Sequence, residues 1–176
     1  MRAILVMLLV AGNALAMPTR RDLDRVLAGF EQVVNADHVK SLGAGTDTAL
    51  IGYIEDPTVN SLRRQRALGA LRHVPSSTVR DYLLARIKAH KAADHGAEVL
   101  ELAAAIGALA PYGTAVLSSL LPFLSHPAPD VRQSTAAALE AIHSDTTANA
   151  LAARIAVETD PGVQTALRSA LQACRR

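Results

Sequence analysis

One short pattern recurs four times along this chain and constrains its fold more than any other feature. In each copy a large aliphatic residue follows a stretch rich in alanine, and another apolar residue follows three positions later. The aliphatic positions are spaced by 38, 33 and 32 residues. Periods of about 20–50 residues are typical of stacked repeats, in which each unit buries its apolar face against its neighbours. The four aliphatic anchors are Leu68, Ile106, Leu139 and Leu171.

Composition favours helices as the repeating element. Half of the residues are hydrophobic, but only 3% are aromatic and Trp is absent, so Ala and Leu supply most of the apolar surface. Both residues have high helix propensity, and small side chains let helices approach closely. We therefore predict an all-α fold, a right-handed α-solenoid of about four antiparallel helix pairs with an N-terminal capping helix.

The first sixteen residues have the pattern of a secretory signal peptide. Arg2 precedes an apolar run from Ala3 to Ala11, and Ala14-Leu15-Ala16 has the small residues of a cleavage site. The run is too short for a membrane anchor, which takes about 20 apolar residues. We predict cleavage after Ala16, a secreted or periplasmic location and no membrane-spanning segment.

Prolines, glycines and capping residues divide the remaining chain into helices. We predict an N-terminal helix over 19–34, capped by Thr19, within a helix-and-linker region that covers 17–45. Repeats follow over 46–176, in units of about 46–74, 75–110, 111–143 and 144–176. Each repeat has a first helix, A, and a second helix, B. The A helices are predicted over 46–55, 76–90, 114–125 and 146–158, and the B helices over 58–73, 97–109, 131–143 and 163–174.

The B helices of the last two repeats carry a family resemblance. The sequence from Pro129 to Ile142 resembles the second helix of a short HEAT repeat, and so does 160–171, with Gln164 in place of the usual arginine. The first two repeats match only in 67–71 and 105–109. The resemblance covers roughly 46–176 and implies a scaffold that binds other macromolecules through a concave surface lined by B helices. Some short HEAT proteins resemble bilin-attaching phycobilisome lyases, so a lyase-like enzyme is a remote alternative.

The repeat pattern also predicts which side chains are buried. Val131, Thr135, Ala138, Leu139 and Ile142 fall on one face of the third B helix, which must pack on its own A helix and on neighbouring repeats. The single cysteine, Cys174, aligns with Ile142 and is therefore expected on the core face rather than in an exposed intermolecular disulfide.

Charge is the strongest signal beyond the fold. Residues 60–91 contain eight basic side chains and one acidic one, a net charge of +7, whereas the remaining mature chain has a net charge of −6. One interpretation is a basic patch that binds an acidic protein or peptide, or an anionic envelope surface. The alternative is a helix face paired with acidic residues elsewhere in the fold. The basic residues are Arg63, Arg64, Arg66, Arg72, Arg80, Arg86, Lys88 and Lys91.

Equivalent positions on the B helices suggest a binding surface that is small and bare in its centre and basic at one end. Such a groove suits a protein or peptide partner. An exported protein without aromatic residues interleaved among its charges is a poor candidate for binding nucleic acid. The predicted partner-binding residues are Arg63, Arg64, Arg66, Arg72, Ala104, Ala137 and Glu140.

No catalytic, cofactor-binding or metal-binding residue is predicted. The sequence lacks a phosphate-binding glycine loop, a nucleophile elbow and a zinc-protease motif. His90, Asp94 and His95 are the nearest approach to a zinc site, but a set of polar loop residues explains them better. His126 and His143 are too far apart to share a metal within one chain, about 25 Å along a straight helix. We therefore expect a binding protein rather than an enzyme.

Overall fold

The computed structural model describes residues 17–28 and 34–175, and the ordered elements in these ranges are all helices. The predicted signal peptide and residues 29–33 of the predicted first helix lie outside them. The α-helices are α1 (Arg20–Val26), α2 (Ala36–Ser41), α3 (Thr46–Glu55), α4 (Ser61–Ala70), α5 (Ser77–Ala89), α6 (Gly96–Ala108), α7 (Leu117–Leu120), α8 (Pro129–Glu140), α9 (Asp145–Ile155) and α10 (Pro161–Cys174). Three 3-10 helices cover Leu71–His73, Ala110–Val116 and Leu121–Ser125.

The helices form two layers. In the B layer α4 packs on α6, α6 on α8, and α8 on α10, so these four helices stack in chain order. The A layer consists of α3, α5, the segment Leu117–Ser125 and α9, and each packs on the B helix of its own repeat. This arrangement confirms the predicted all-α stack of helix pairs. Its right-handed winding stays a prediction.

The core lies between the two layers, on the face that the repeat pattern predicted. Leu68, Ile106 and Leu139 are fully buried, as are the five residues predicted to line one face of the third B helix. Leu171 is only partly buried, because α8 and α9 are the main helices that pack on α10. Burial of apolar surface at about 25 cal/mol per Å² makes this seam the main source of stability.

Capping side chains set the helix starts. Thr19 and Asp22 form a capping box at the start of α1, as the prediction for Thr19 requires. Asp160 accepts a hydrogen bond from the Val163 N–H at 2.9 Å, and Pro161 opens α10 where a missing amide costs nothing. The B helix of the first repeat begins at Ser61 instead of Thr58, because Asn60 is the residue that caps it.

The fourth residue of a B helix also holds the turn that precedes it. Arg132 donates from Nη1 to the carbonyl oxygen of His126 at 2.9 Å, six residues earlier. Gln164 donates from Nε2 to the carbonyl oxygen of Glu158 at 2.6 Å, again six residues earlier. Gln164 therefore performs the task of the arginine that it replaces.

The N-terminal region differs from the prediction. A single helix over 19–34 is wrong, because α1 ends at Val26 and residues 34 and 35 are not helical. A second helix, α2, then occupies part of the predicted linker. Asn35 starts it by accepting hydrogen bonds from the amides of Asp37 and His38, at 2.8 and 3.2 Å.

The third A helix also differs. We predicted one helix over 114–125, but the chain forms a 3-10 helix, the single turn α7 and another 3-10 helix. Gly113 adopts φ +57° and ψ −138°, which breaks the helix before it can start at Thr114. Pro122 has no N–H to donate to the preceding turn, so the chain tightens into 3-10 geometry.

Candidate protein-binding groove

A groove with a volume of about 450 Å³ crosses the B layer from α4 over α6 to α8. Four of the seven predicted partner-binding residues line it: Arg66, Arg72, Ala104 and Ala137. We call this surface the B-helix groove. The residues that line it are Val34, Leu62, Gln65, Arg66, Gly69, Arg72, His73, Ala103, Ala104, Gly107, Ser134 and Ala137.

The floor of the B-helix groove is bare because two glycines lie at equivalent repeat positions. Gly69 and Gly107 are the penultimate residues of α4 and α6, in the last turn of each helix, where glycine has a lower helix propensity than alanine. A Cβ at either position would meet no atom within 4 Å. Packing within the described structure therefore does not require glycine at either site.

Two exposed leucines lie on the same side of the B layer, and the sequence interpretation missed them. Leu62 is 39% exposed on α4 and Leu100 is 42% exposed on α6. They are 38 residues apart, the same spacing that relates Arg66 to Ala104, so they occupy equivalent positions in successive repeats. The signal was available in the sequence, because both leucines fall outside the apolar stripe that faces the core.

One end of the groove is positively charged. Arg72 is exposed there, beside His73 and near Lys40 of α2. Burial lowers the pKa of His73, and the positive charges of Arg72 and Lys40 lower it further. The lowered pKa disfavours the protonated form of His73, so the positive charge at this end comes mainly from Arg72 and Lys40.

Arg66, unlike the exposed Arg72, uses its guanidinium to bind backbone carbonyls. Its Nε donates to the carbonyl oxygen of Leu27 at 2.8 Å, and its Nη2 donates to that of Ala28 at 3.3 Å. These bonds satisfy carbonyls that the end of α1 leaves open. Arg66 thus lines the groove with its stem and fixes α1 with its guanidinium.

Two of the predicted partner-binding arginines turn away from the groove. Arg63 pairs with Asp24 of α1 at 2.6 Å, and Arg64 pairs with Glu101 of α6 at 2.9 Å. Neither lines the B-helix groove. Glu140 is exposed at the end of α8 and is not among the groove residues either.

Half of the eight basic residues in the segment 60–91 form ion pairs with acidic side chains. Besides Arg63 and Arg64, Arg80 pairs with Asp81 at 2.8 Å, and Arg86 contacts Glu55 and Glu101 at 2.9 and 2.7 Å. The alternative of a helix face paired with acidic residues elsewhere in the fold is therefore correct for Arg63, Arg64 and Arg86, whereas Arg80 pairs with the acidic residue inside the segment itself. Within the described residues Arg72, Lys88 and Lys91 form no ion pair, and they lie on different layers of the stack.

The described residues include two further features that could carry chemistry, the Asp94–His95 pair and the thiol of Cys174. Asp94 and His95 contact each other on the surface, and no group of three or more potential metal ligands is present there. Cys174 is partly buried, with its Sγ 3.7 Å from the carbonyl oxygen of Ile142. Burial and the nearby charge of Glu140 raise the pKa of this thiol, which makes it a poor nucleophile.

No single described helix has both the length and the hydropathy to cross a membrane. Among the residues that the structure describes, α6 taken together with Ala110–Ser125 is the one pair that meets those two criteria, and its two parts are bent by 81° relative to each other.

The two-layer stack of helix pairs defines this chain as a helical-repeat protein. Residues 91–172 match the family model described as HEAT repeats, which supports the resemblance of this chain to that family. The matched segment runs from the loop after α5 through most of α10 and so includes α6 and α8 of the groove. No curated protein and no solved structure matches the chain significantly.

Proposed function

We propose that this protein is an exported binding module that holds an acidic peptide segment with large apolar residues in its B-helix groove. HEAT repeats generally act as scaffolds for protein–protein interaction. The observation that carries the proposal is the pair Gly69 and Gly107, which keep the groove floor open at a cost in helix propensity.

The chemistry of the partner follows from the two kinds of contact that the groove offers. Leu62 in the groove, and Leu100 on the same face of α6 as the groove residues Ala104 and Gly107, present apolar surface that large aliphatic or aromatic side chains of a peptide would cover. Arg72 and Lys40 at one end favour carboxylates of the same peptide. Because the floor is bare, a helix or an extended strand can approach the B helices closely.

Docking on an anionic envelope surface is the weaker alternative. A flat anionic surface is bound best by many cations on one face. Here four of the eight basic residues of the segment are paired with acids, and the unpaired ones lie on two layers. A single groove with one basic end fits this distribution better.

Selection from a displayed library of random peptides tests the proposal. The selected peptides are then compared for binding to the wild-type protein and to variants of the groove. Peptides selected on the wild-type protein are expected to be enriched in acidic and large apolar residues, and salt is expected to weaken their binding. Gly107→Gln fills the groove and Arg72→Glu reverses its charge, so each is expected to reduce binding at least about tenfold, or about 1.4 kcal/mol.

Matched controls separate a blocked groove from a damaged fold. Gly52→Gln places the same side chain on α3, at another helical glycine with open space around it. Arg21→Glu makes the same charge change on the exposed face of α1. If the control variants lost binding as strongly as the groove variants, or if Gly107→Gln kept every selected peptide, the groove would not be the binding site.

Export is part of this proposal and rests on the signal-peptide pattern of 1–16. Mass spectrometry of the protein recovered from the periplasm or the medium is expected to find Met17 as its first residue. Retention of Arg2 in a protein confined to the cytosol would contradict export without affecting the groove.

A further inference from the structure

A second cavity lies in the A layer, away from the B-helix groove. It has a volume of about 690 Å³ and opens between α5 and the segment Leu117–Ser125. It lies beside the broken third A helix. The segment Leu117–Ser125 packs on α8 and α9, whereas α5 packs on α3 and α6, so the two A elements leave a gap. We call this cavity the A-layer cleft.

The walls of the A-layer cleft are mainly apolar. Leu84 and Ile87 face it from α5, and Phe123 faces it from the opposite side. Ile87 and Phe123 are buried and Leu84 is partly buried, so the cleft reaches into the edge of the core. A volume of this size is within the range of about 300–1,000 Å³ that is typical of small-molecule sites.

Two lysines stand at the rim of this apolar cavity. Lys88 and Lys91 follow Leu84 and Ile87 at positions i+4 of each, so all four lie along one side of α5 and its end. Both lysines are exposed, and neither forms an ion pair within the described residues. The cleft therefore combines an apolar interior with two unneutralised ammonium groups at its mouth.

His126 holds this arrangement in place. Its Nδ1 accepts a hydrogen bond from the Ala128 N–H at 3.2 Å, so in this tautomer Nε2 carries the hydrogen. Nε2 lies 3.2 Å from the carbonyl oxygen of Lys91 and donates to it. The buried ring thus ties the loop after α5 to the turn before α8 and fixes the backbone of Lys91 at the mouth of the cleft.

We propose that the A-layer cleft binds a long-chain carboxylate, with its acyl chain along Leu84, Ile87 and Phe123 and its carboxylate between Lys88 and Lys91. A saturated chain brings no polar group into the cleft, whose walls have few partners to offer one. A peptide would bring an amide at every residue and leave most of them unpaired there. The carboxylate gains two charge-assisted contacts at the rim.

Calorimetry with dodecanoate, kept below its micelle concentration, tests this site on the full mature chain. One molecule is expected to bind per chain. The double variant Lys88→Gln/Lys91→Gln is expected to weaken dodecanoate at least about tenfold and to leave dodecanol, which lacks the charge, within about twofold of the wild type. Equal affinity of wild type and double variant for dodecanoate would overturn the role of the lysines.

A steric pair tests the location. Ala85→Trp places an indole at the cleft from the exposed side of α5 and is expected to abolish binding of both ligands. Ala152→Trp makes the same change on the exposed face of α9 and is expected to bind like the wild type. Arg72→Glu, in the B-helix groove, is also expected to bind dodecanoate normally. The proposal would be overturned if the wild-type protein did not bind dodecanoate, or if a folded Ala85→Trp variant bound it normally. Neither result would bear on the proposed peptide binding in the B-helix groove.

Discussion

The guanidinium of Arg132 and the carboxylate of Glu158 form a bidentate ion pair that joins the third repeat to the fourth. Arg132 Nε lies 2.8 Å from Glu158 Oε2, and Arg132 Nη2 lies 2.9 Å from Oε1. The side chain of Glu158 is 0% exposed and that of Arg132 is 9% exposed. The guanidinium of Arg154 also lies 2.8 Å from Glu158 Oε2, so the buried carboxylate has two positively charged partners.

Removing Glu158 is expected to destabilise the fold severely. Glu158→Ala leaves Arg132 buried without a counter-charge, which typically costs about 3–5 kcal/mol. Urea unfolding followed by circular dichroism measures this loss. Arg25→Ala is the matched surface control, because Arg25 pairs with Asp22 in an exposed position and should cost under about 1 kcal/mol. Similar losses in the two variants would contradict a structural role for the buried pair.

Stability is expected to fall with acid in a way that depends on Glu158. Hydrogen bonds from Arg132 hold the pKa of this carboxyl well below its ordinary value of 4.5, which applies in the unfolded chain. The stabilisation is complete above the unfolded pKa and is lost as the pH falls from there towards the folded pKa. The difference in unfolding free energy between wild type and Glu158→Gln should therefore narrow between pH 6 and pH 3. A constant difference would show that the carboxylate charge contributes nothing.

Leu139→Ala is expected to cost about 2–5 kcal/mol, because Leu139 is completely buried where α8 meets the rest of the core. Leu100→Ala removes the same atoms from a side chain that is 42% exposed and should cost under about 1 kcal/mol. Urea unfolding of both variants checks the contrast. If Leu139→Ala lowered the free energy of unfolding by less than about 1 kcal/mol, Leu139 would not be a core residue.

Two glycines are expected to respond in opposite directions to the same substitution. Gly107→Ala adds a methyl group in open space within a helix and should stabilise the protein by about 0.5–1 kcal/mol. Gly113→Ala forces a side chain onto a positive φ of +57° and should cost about 1–3 kcal/mol. Thermal unfolding distinguishes them. Destabilisation by Gly107→Ala would mean that the groove floor is packed.

Cys174 is expected to react slowly with thiol reagents in the folded protein. Burial and the charge of Glu140 raise its pKa, so the thiolate fraction at neutral pH is small. Labelling with 5,5′-dithiobis(2-nitrobenzoate) should be much faster after addition of denaturant, and non-reducing electrophoresis should show no disulfide-linked dimer. A native labelling rate equal to that of the unfolded chain would place the thiol on the surface.

The parts of the fold that depend on local pattern were predictable. The bounds of α3 match the prediction, and α5, α6 and α10 begin within two residues of it. Ser76 caps α5, and Asp160 with Pro161 starts α10, so at these two helices the signal acts on adjacent residues. The third A helix failed where two such local signals coincide. Gly113 and Pro122 both disfavour a continuous helix, but the apolar periodicity of 114–125 led to the prediction of one.

The binding surface was less predictable, because charge pairing joins residues that are remote in sequence. Arg63 meets Asp24 across 39 residues, and Arg64 meets Glu101 across 37. Counting charges along 60–91 therefore overstated the positive surface. Equivalent positions in the repeats, by contrast, placed Arg66, Ala104 and Ala137 on one groove, since stacking repeats the same helix face at each step.

The exchange of arginine for Gln164 has a consequence for how such an array can be extended or cut. Arg132 satisfies the carbonyl of His126 only with the help of a carboxylate from the next repeat, so the third repeat depends on a downstream neighbour. Gln164 satisfies the equivalent carbonyl with a neutral amide and needs no counter-charge. A repeat of the second kind needs no carboxylate from a following repeat, so a fusion made behind it would leave no buried arginine without a counter-charge.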